Sequence, residues 1–181
     1  MGWWYPHHTR SARELIAYIM QELHQPEKGR RVLARAVRAF GHRMWTVLQN
    51  PDGQKYIVLF LMHQDSEGTW GYKDIEESCG PVELDCPLKY LDMVDPPSNQ
   101  WATDWRAAVR QHHATQKAKT EHLKGLRVGD QVHLREGCKP NGPFRILSTK
   151  PLKGSFNGIV YKLPRKHIAT VVSPTPVRSV P

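Results

Sequence analysis

Asn50-Pro51-Asp52-Gly53-Gln54-Lys55-Tyr56-Ile57-Val58-Leu59-Phe60-Leu61-Met62 is the stretch that decides the fold. Proline presets the first bend of a turn and glycine accepts positive φ, so residues 50–53 read as a tight connection. Residues 55–62 are apolar at odd and even positions alike, the composition of a strand covered on both faces. Before the turn, residues 43–49 set Trp45 and Val47 against Met44, Thr46 and Leu48, which reads as a second strand. Residues 31–40, rich in Val, Ala and Leu and ending at Gly41-His42, read as a third. A cover for one face lies further upstream. Ser11 is followed three residues later by Glu14, the reciprocal cap of a helix start. Leu15, Ile16, Ile19, Met20 and Leu23 then recur at helical spacing. Pro26 disfavours helical geometry at Gln25, so the helix is predicted over 11–24. The first part of the chain is therefore expected to be an antiparallel α+β layer.

Downstream, residues 65–94 read as less regular, with Cys86-Pro87 opening a short helix that runs through Met93. Asp95-Pro96-Pro97-Ser98 is a break, and the module boundary is placed there. Residues 99–120 read as a helix with Trp101, Trp105, Val109 and His112 near one face, and Arg106, Arg110, Lys117 and Lys119 mostly elsewhere. Two tryptophans one turn apart call for burial. Beyond it, short β runs are predicted at 128–134, 144–147, 158–163 and 168–172, with a one-turn interruption at 163–167. Short strands so closely spaced suggest a small barrel. The order, with Val128-Gly129-Asp130-Gln131-Val132 first and the short turn before the last strand, resembles SH3-like barrels. The expected organisation is an α+β domain over 1–95, a connecting helix over 96–121, a basic SH3-like barrel over 122–172 and a disordered tail over 173–181.

Charge follows the same division. Residues 1–95 hold 11 Lys/Arg and 13 Asp/Glu, whereas residues 96–181 hold 15 and 4, so the formal +9 of the chain belongs to its second part. A neutral module joined to a cationic one points to a polyanion facing the second. Other classes are disfavoured. No apolar run approaches the roughly 20 residues of a membrane span, so a membrane is not an expected partner. Residues 1–10 carry aromatics and His where a signal peptide has an apolar centre, and the three cysteines are too few and odd for a disulfide framework; a reducing cytoplasm is expected. Cys79, Cys86 and Cys138 form no C-x-x-C pair and the ten His are scattered, so no metal or other cofactor is expected. Cys79 and Cys86 read instead as small buried fillers. There is no P-loop, dinucleotide fingerprint or nucleophile elbow, and Lys153-Gly154-Ser155 lacks the glycine a phosphate loop needs.

Several segments together carry a resemblance: Gly2-Trp3-Trp4-Tyr5, Trp70-Gly71-Tyr72-Lys73-Asp74-Ile75-Glu76-Glu77-Ser78-Cys79-Gly80-Pro81 and Asp85-Cys86-Pro87, then residues 101–110, Val128-Gly129-Asp130 and Tyr161-Lys162-Leu163-Pro164-Arg165. On these the chain resembles a family of small uncharacterised proteins, a domain of unknown function encoded by bacteria, phages and plasmids. The resemblance implies a mobile-element context and a two-part architecture, and no reaction.

Two candidate sites emerge. The central segment gathers Tyr72, Lys73, Asp74 and Glu77. One reading is an acid/base or recognition site on an irregular loop; the other is scaffold, with Tyr72 buried and Asp74 accepting backbone N–H groups from its own loop. The scaffold reading is the expected one. The basic module supplies Lys139, Arg145, Lys150, Lys153, Lys162, Arg165 and Lys166, several of which should share a surface facing nucleic acid. Phe144, Phe156 and Tyr161 between them are expected to fill the barrel core rather than stack on bases. The leading expectation is a non-enzymatic accessory protein of a phage or other mobile element that binds nucleic acid or a nucleoprotein. A sharper form is an anti-defence factor acting on a host defence nuclease. The rivals are an enzyme centred on residues 70–81 and a structural protein-interaction module.

Overall fold

The computed structural model describes residues 2–6, 9–25, 27, 29–140 and 142–172; the predicted tail over 173–181 and the His7-His8 pair lie outside them. Its centre is the strand expected from residues 55–62. β2 (Arg43–Gln49) and β3 (Lys55–Gln64) pair antiparallel from Gln49↔Lys55 to Arg43↔Leu61. Gly53, at φ 89°, donates to the Asn50 carbonyl at 2.9 Å, and Asn50 donates back to the Gln54 carbonyl at 2.8 Å. β1 (Arg31–Arg38) joins the other edge of β2.

A fourth strand, β4 (Trp70–Glu76), completes the sheet in the order β1-β2-β3-β4, where the sequence reading expected irregular chain. Its period-2 signal is weak because an edge strand buries little: Asp74 and Glu76 are exposed, and Tyr72, Lys73 and Ile75 half-buried. The turn before β4 is built by Asp65, whose Oδ1 accepts the N–H groups of Glu67 at 2.9 Å and Thr69 at 2.8 Å. The edge is partly covered by the N-terminal segment, since Trp4 and Tyr72 exchange backbone hydrogen bonds of 2.8 and 2.9 Å. Gly71 permits this approach; a Cβ there would lie 2.9 Å from the Trp4 carbonyl oxygen.

Both faces of β3 are covered, which is why it is apolar throughout. On one side α1 (Ala12–Leu23) sets Leu15, Ile19 and Leu23 against Met44, Leu48, Val58, Phe60 and Met62. On the other, Trp45, Val47, Ile57 and Leu59 meet Tyr90 and Leu91 of α2 (Leu88–Leu91) and Trp105 and Val109 of α3 (Gln100–Lys124). Trp45 and Trp105 stack with ring centroids 5.5 Å apart. Each such buried side chain contributes roughly 1.5–3 kcal/mol of transfer free energy.

α1 begins as its sequence implies. Ser11 Oγ accepts the Glu14 N–H at 3.2 Å, and Glu14 Oε2 reaches back to the Arg10 N–H at 2.8 Å, one residue beyond the usual partner. Ser11→Ala should lower stability by about 1 kcal/mol in urea unfolding, while Ser11→Asp should retain it.

The buried stripe of α3 differs from the expected one. It is Ala102, Trp105, Arg106 and Val109, and Trp101 is 69% exposed. The positions follow regular helical spacing, but one of them is filled by a cation. Asn99 caps the helix, its Oδ1 accepting the Ala102 N–H at 2.9 Å.

The chain forms two compact units, Met1–Thr115 and Gln116–Pro181, so the division falls inside α3. Asp95, at the Pro-rich break, is held within the first unit: its Oδ2 accepts the Lys55 N–H at 2.7 Å, and its carbonyl accepts from Arg106 at 2.7 Å. The second unit carries a separate antiparallel sheet of β5 (Gln131–Leu134), β6 (Pro143–Thr149), β7 (Leu152–Phe156), β8 (Ile159–Lys162) and β9 (Ile168–Val172), ordered β8-β7-β6-β5-β9. β7 was not anticipated, since Leu-Lys-Gly-Ser-Phe carries a turn-like centre. Gly154 packs closely there: a Cβ would meet Leu163 Cδ1 at 2.7 Å and Phe144 Cβ at 3.2 Å. Val132, Phe144, Ile146 and Ile168 form the fully buried centre of this unit. Among the described residues, no helix is long and apolar enough to cross a membrane.

Candidate functional site

The second unit places a cationic groove between the last turns of α3 and three loop segments. α3 supplies Lys119 and Lys124, the chain after β5 supplies Arg135, the β6–β7 turn supplies Lys150, and the short 3-10 turn before β9 supplies Arg165 and Lys166. Gln116, Thr120 and Leu123 also line this cavity of about 730 Å³, and among the described residues no carboxylate lines it.

The backbone explains why these side chains meet. α3 stops at Gly125, whose N–H donates to the carbonyls of Glu121 and His122 at 3.1 and 3.2 Å. Gly129, at φ 97°, then turns the chain into β5, and Asp130 closes the turn by accepting the Arg127 N–H at 2.7 Å. The Val128-Gly129-Asp130 signature is thus a folding device. Arg165 ties helix to sheet: its guanidinium donates to the Leu123 carbonyl at the helix end and to the Thr149 carbonyl at 3.4 Å. A cation suits the partial negative charge of a helix C-terminus. Lys124 pairs with Glu121 at 2.8 Å, which holds the Glu121 carboxyl below its ordinary value. Lys119, Arg135, Lys150 and Lys166 have no ion-pair partner among the described residues. Four unpaired cations around one concavity repel each other and favour an anion between them.

Of the seven cations singled out from sequence, Lys150, Arg165 and Lys166 are in the groove. Arg145, Lys153 and Lys162 lie instead on the exposed face of the sheet: Lys153 is directly opposite Lys162, and Arg145 is opposite Ser155. Lys139 is exposed on the β5–β6 connection. Phe144 is fully buried, with Phe156 at 5.4 Å and Tyr161 edge-on at 5.5 Å, so these rings belong to the core. Lys119, Lys124 and Arg135 were missed. Lys119 was read only as lying off the apolar face of its helix, Lys124 lies beyond the helix end expected at 120, and no local pattern links Arg135 to them.

The central quartet does not converge. On β4, Tyr72 and Asp74 share one face with Phe60 and Val58 near α1, while Lys73 faces the opposite side beside Leu61 and Ile75. Tyr72 is half-buried, and burial, with Tyr18, Asp74 and Glu22 nearby, pushes its hydroxyl up to about 12, which keeps it protonated near neutrality. Asp74 is exposed and accepts no hydrogen bond among the described residues, so the expected loop-tying role is not found.

Glu77 is buried and structural. β4 ends before it, and its Oε1 takes the Ile57 N–H at 3.1 Å that a further strand residue would have satisfied. The same carboxylate receives Arg106 Nε at 2.6 Å and Nη2 at 2.8 Å, a forked pair in which both side chains are nearly fully covered. Asp85 works similarly, its Oδ1 accepting Trp45 Nε1 at 3.1 Å and Arg43 at 3.2 Å. Cys86 is a buried thiol pushed up to about 12 by burial, with Glu77 and Asp85 adding to the shift, hence inert; Cys79, expected to be buried, is exposed. No group of three or more His, Cys, Asp or Glu suited to a metal ion occurs among the described residues.

Comparison of the chain with protein-family models, curated proteins and solved structures finds no match.

Proposed function

We propose that this protein binds nucleic acid, alone or within a nucleoprotein, through the groove of its second unit, and acts without catalysis. The observation that carries this reading is six Lys/Arg side chains around one groove whose lining, among the described residues, holds no carboxylate. Residues 116–181 carry 13 Lys/Arg and 3 Asp/Glu, a formal excess of 10 positive charges in the unit that holds the groove. Without aromatic side chains in the lining, affinity comes from phosphates and reads little sequence. The strand order β8-β7-β6-β5-β9, with a 3-10 turn before the last strand, supports an SH3-like barrel as the finer description. The resemblance to phage- and plasmid-encoded small proteins supports an accessory role in a mobile element, with interference with a host defence nuclease as its sharpest form. The enzyme reading was built on Tyr72, Lys73, Asp74 and Glu77, which among the described residues do not converge on one surface.

The test is binding of a fluorescent DNA duplex, a single strand and an RNA hairpin over a salt series. Affinity for at least one should fall by about two orders of magnitude between 50 and 200 mM salt if four phosphates are engaged. Salt-independent affinity, or none at low salt, rejects the reading. A complex with a host protein that survives nuclease treatment would favour the interaction-module alternative.

A further inference from the structure

The hairpin joining β1 to β2 presents an aromatic side chain in an unusual way. Phe40 is fully solvent-exposed at the tip. Both Ala39 and Phe40 are left-handed, at φ 49° and 55°, and Gly41 follows at 93°. Two consecutive non-glycine residues in that region are disfavoured and persist only where their surroundings hold them. Here they are held. His42 N–H closes the turn on the Ala39 carbonyl at 3.1 Å, and the His42 carbonyl receives the Met62 N–H of β3 at 2.8 Å. Gly41 is buried so tightly that a Cβ would fall 2.9 Å from Ala12 Cβ. The loop is thus tied to the fold at Gly41 and His42, with the Phe40 ring left unburied at its tip.

The flanks are cationic. No Asp or Glu occurs between Arg31 and Gln49. Arg38, exposed and two residues from the tip, donates among the described residues to the neighbouring Val37 carbonyl at 3.2 Å, while the exposed Arg35 lies on the opposite face of β1. Arg43, opposite Arg38, is occupied by Asp85. An anchor for a protein pocket normally sits within a ring of apolar contacts that exclude water. Phe40 sits between Ala39 and Gly41, and Val37 of β1, 40% exposed, is the one other large apolar side chain exposed within residues 31–49. A fully exposed aromatic side chain on a projecting turn, with a free cation beside it, is the form of a wedge that enters a base step while its neighbour holds a phosphate.

We infer that the β1–β2 tip is a second nucleic-acid contact, in which Phe40 inserts between adjacent base pairs and Arg38 engages the flanking backbone. This rests on the nucleic-acid reading above, yet uses residues of the other unit and a different physical term. A short DNA duplex carrying 2-aminopurine separates the two. Wild-type protein should raise its fluorescence, because insertion unstacks the probe. Phe40→Ala should abolish the rise and weaken binding by about 10-fold or more, with the salt slope unchanged, because no charge is removed. Phe40→Gly should lose the same signal yet melt at or above the wild-type temperature, since glycine accepts positive φ. Phe40→Leu should keep part of both signals. If Phe40→Ala matches wild type in affinity and fluorescence, the wedge is wrong and the groove reading stands, and the tip passes to a protein partner. If wild-type protein binds no nucleic acid at any salt, the wedge and the groove reading fall together, while binding confined to single strands or RNA overturns the wedge and leaves the groove reading standing.

Discussion

Reversal of Lys119, Lys150 and Lys166 to Glu should raise the nucleic-acid dissociation constant by at least about 100-fold and flatten its salt dependence. These side chains project into the groove without an ion-pair partner among the described residues. With Arg135 they make roughly four phosphate contacts available, each contributing about −0.9 to the slope of log K against log salt on duplex DNA. Arg165 is left in place because it holds the Leu123 and Thr149 carbonyls, and its loss would loosen the groove itself. The three replaced lysines are exposed or half-exposed, so the melting temperature should stay close to that of wild type. The matched control is Arg145, Lys153 and Lys162 to Glu, the same charge change on the outer face of the sheet. If the outer-face variant loses binding and the groove variant does not, the interface has been placed on the wrong surface.

The largest stability effect is expected at the Glu77–Arg106 pair. Both side chains are almost fully covered, Glu77 at 4% and Arg106 at 6% exposure. Glu77→Ala strands a buried guanidinium and also orphans the Ile57 N–H of the central strand. Breaking a buried pair from one side costs about 3–5 kcal/mol, because the remaining charge is uncompensated. For a unit of this size the melting temperature should fall by roughly 10–20 °C. Glu77→Leu with Arg106→Met should be much less damaging than the sum of the single changes, since an apolar pair leaves no buried charge. Near-additive losses would mean that the two residues act separately. If Glu77→Ala folds and melts like wild type, the pair does not brace the end of β4.

The β2–β3 hairpin, α1 with its cap, and the charge step were legible in the sequence because each rests on local physics. A Pro-Asp-Gly turn, a run apolar on both faces and a Ser-x-x-Glu start encode their geometry within a few residues. β4 and β7 were not legible. An edge strand shows its polar side chains to water, and β7 carries at its centre a glycine packed against Leu163, a residue from beyond the next strand. Arg106 was hidden because apolar periodicity has no place for a cation whose partner, Glu77, lies 29 residues away.

By itself the sequence determined that the chain is α+β, that its second part is cationic, and that Phe144, Phe156 and Tyr161 serve a core. Only the tertiary structure decided which cations act together. It divided the seven predicted ones among a groove, an outer face and a loop, and brought Lys119, Lys124 and Arg135 into the first set. It also dispersed Tyr72, Lys73, Asp74 and Glu77 and turned Glu77 inward. The physical reason is range. Turns, caps and alternation are fixed by neighbours along the chain, whereas a site is fixed by strand register and by where a helix stops, and those depend on contacts between residues far apart in sequence.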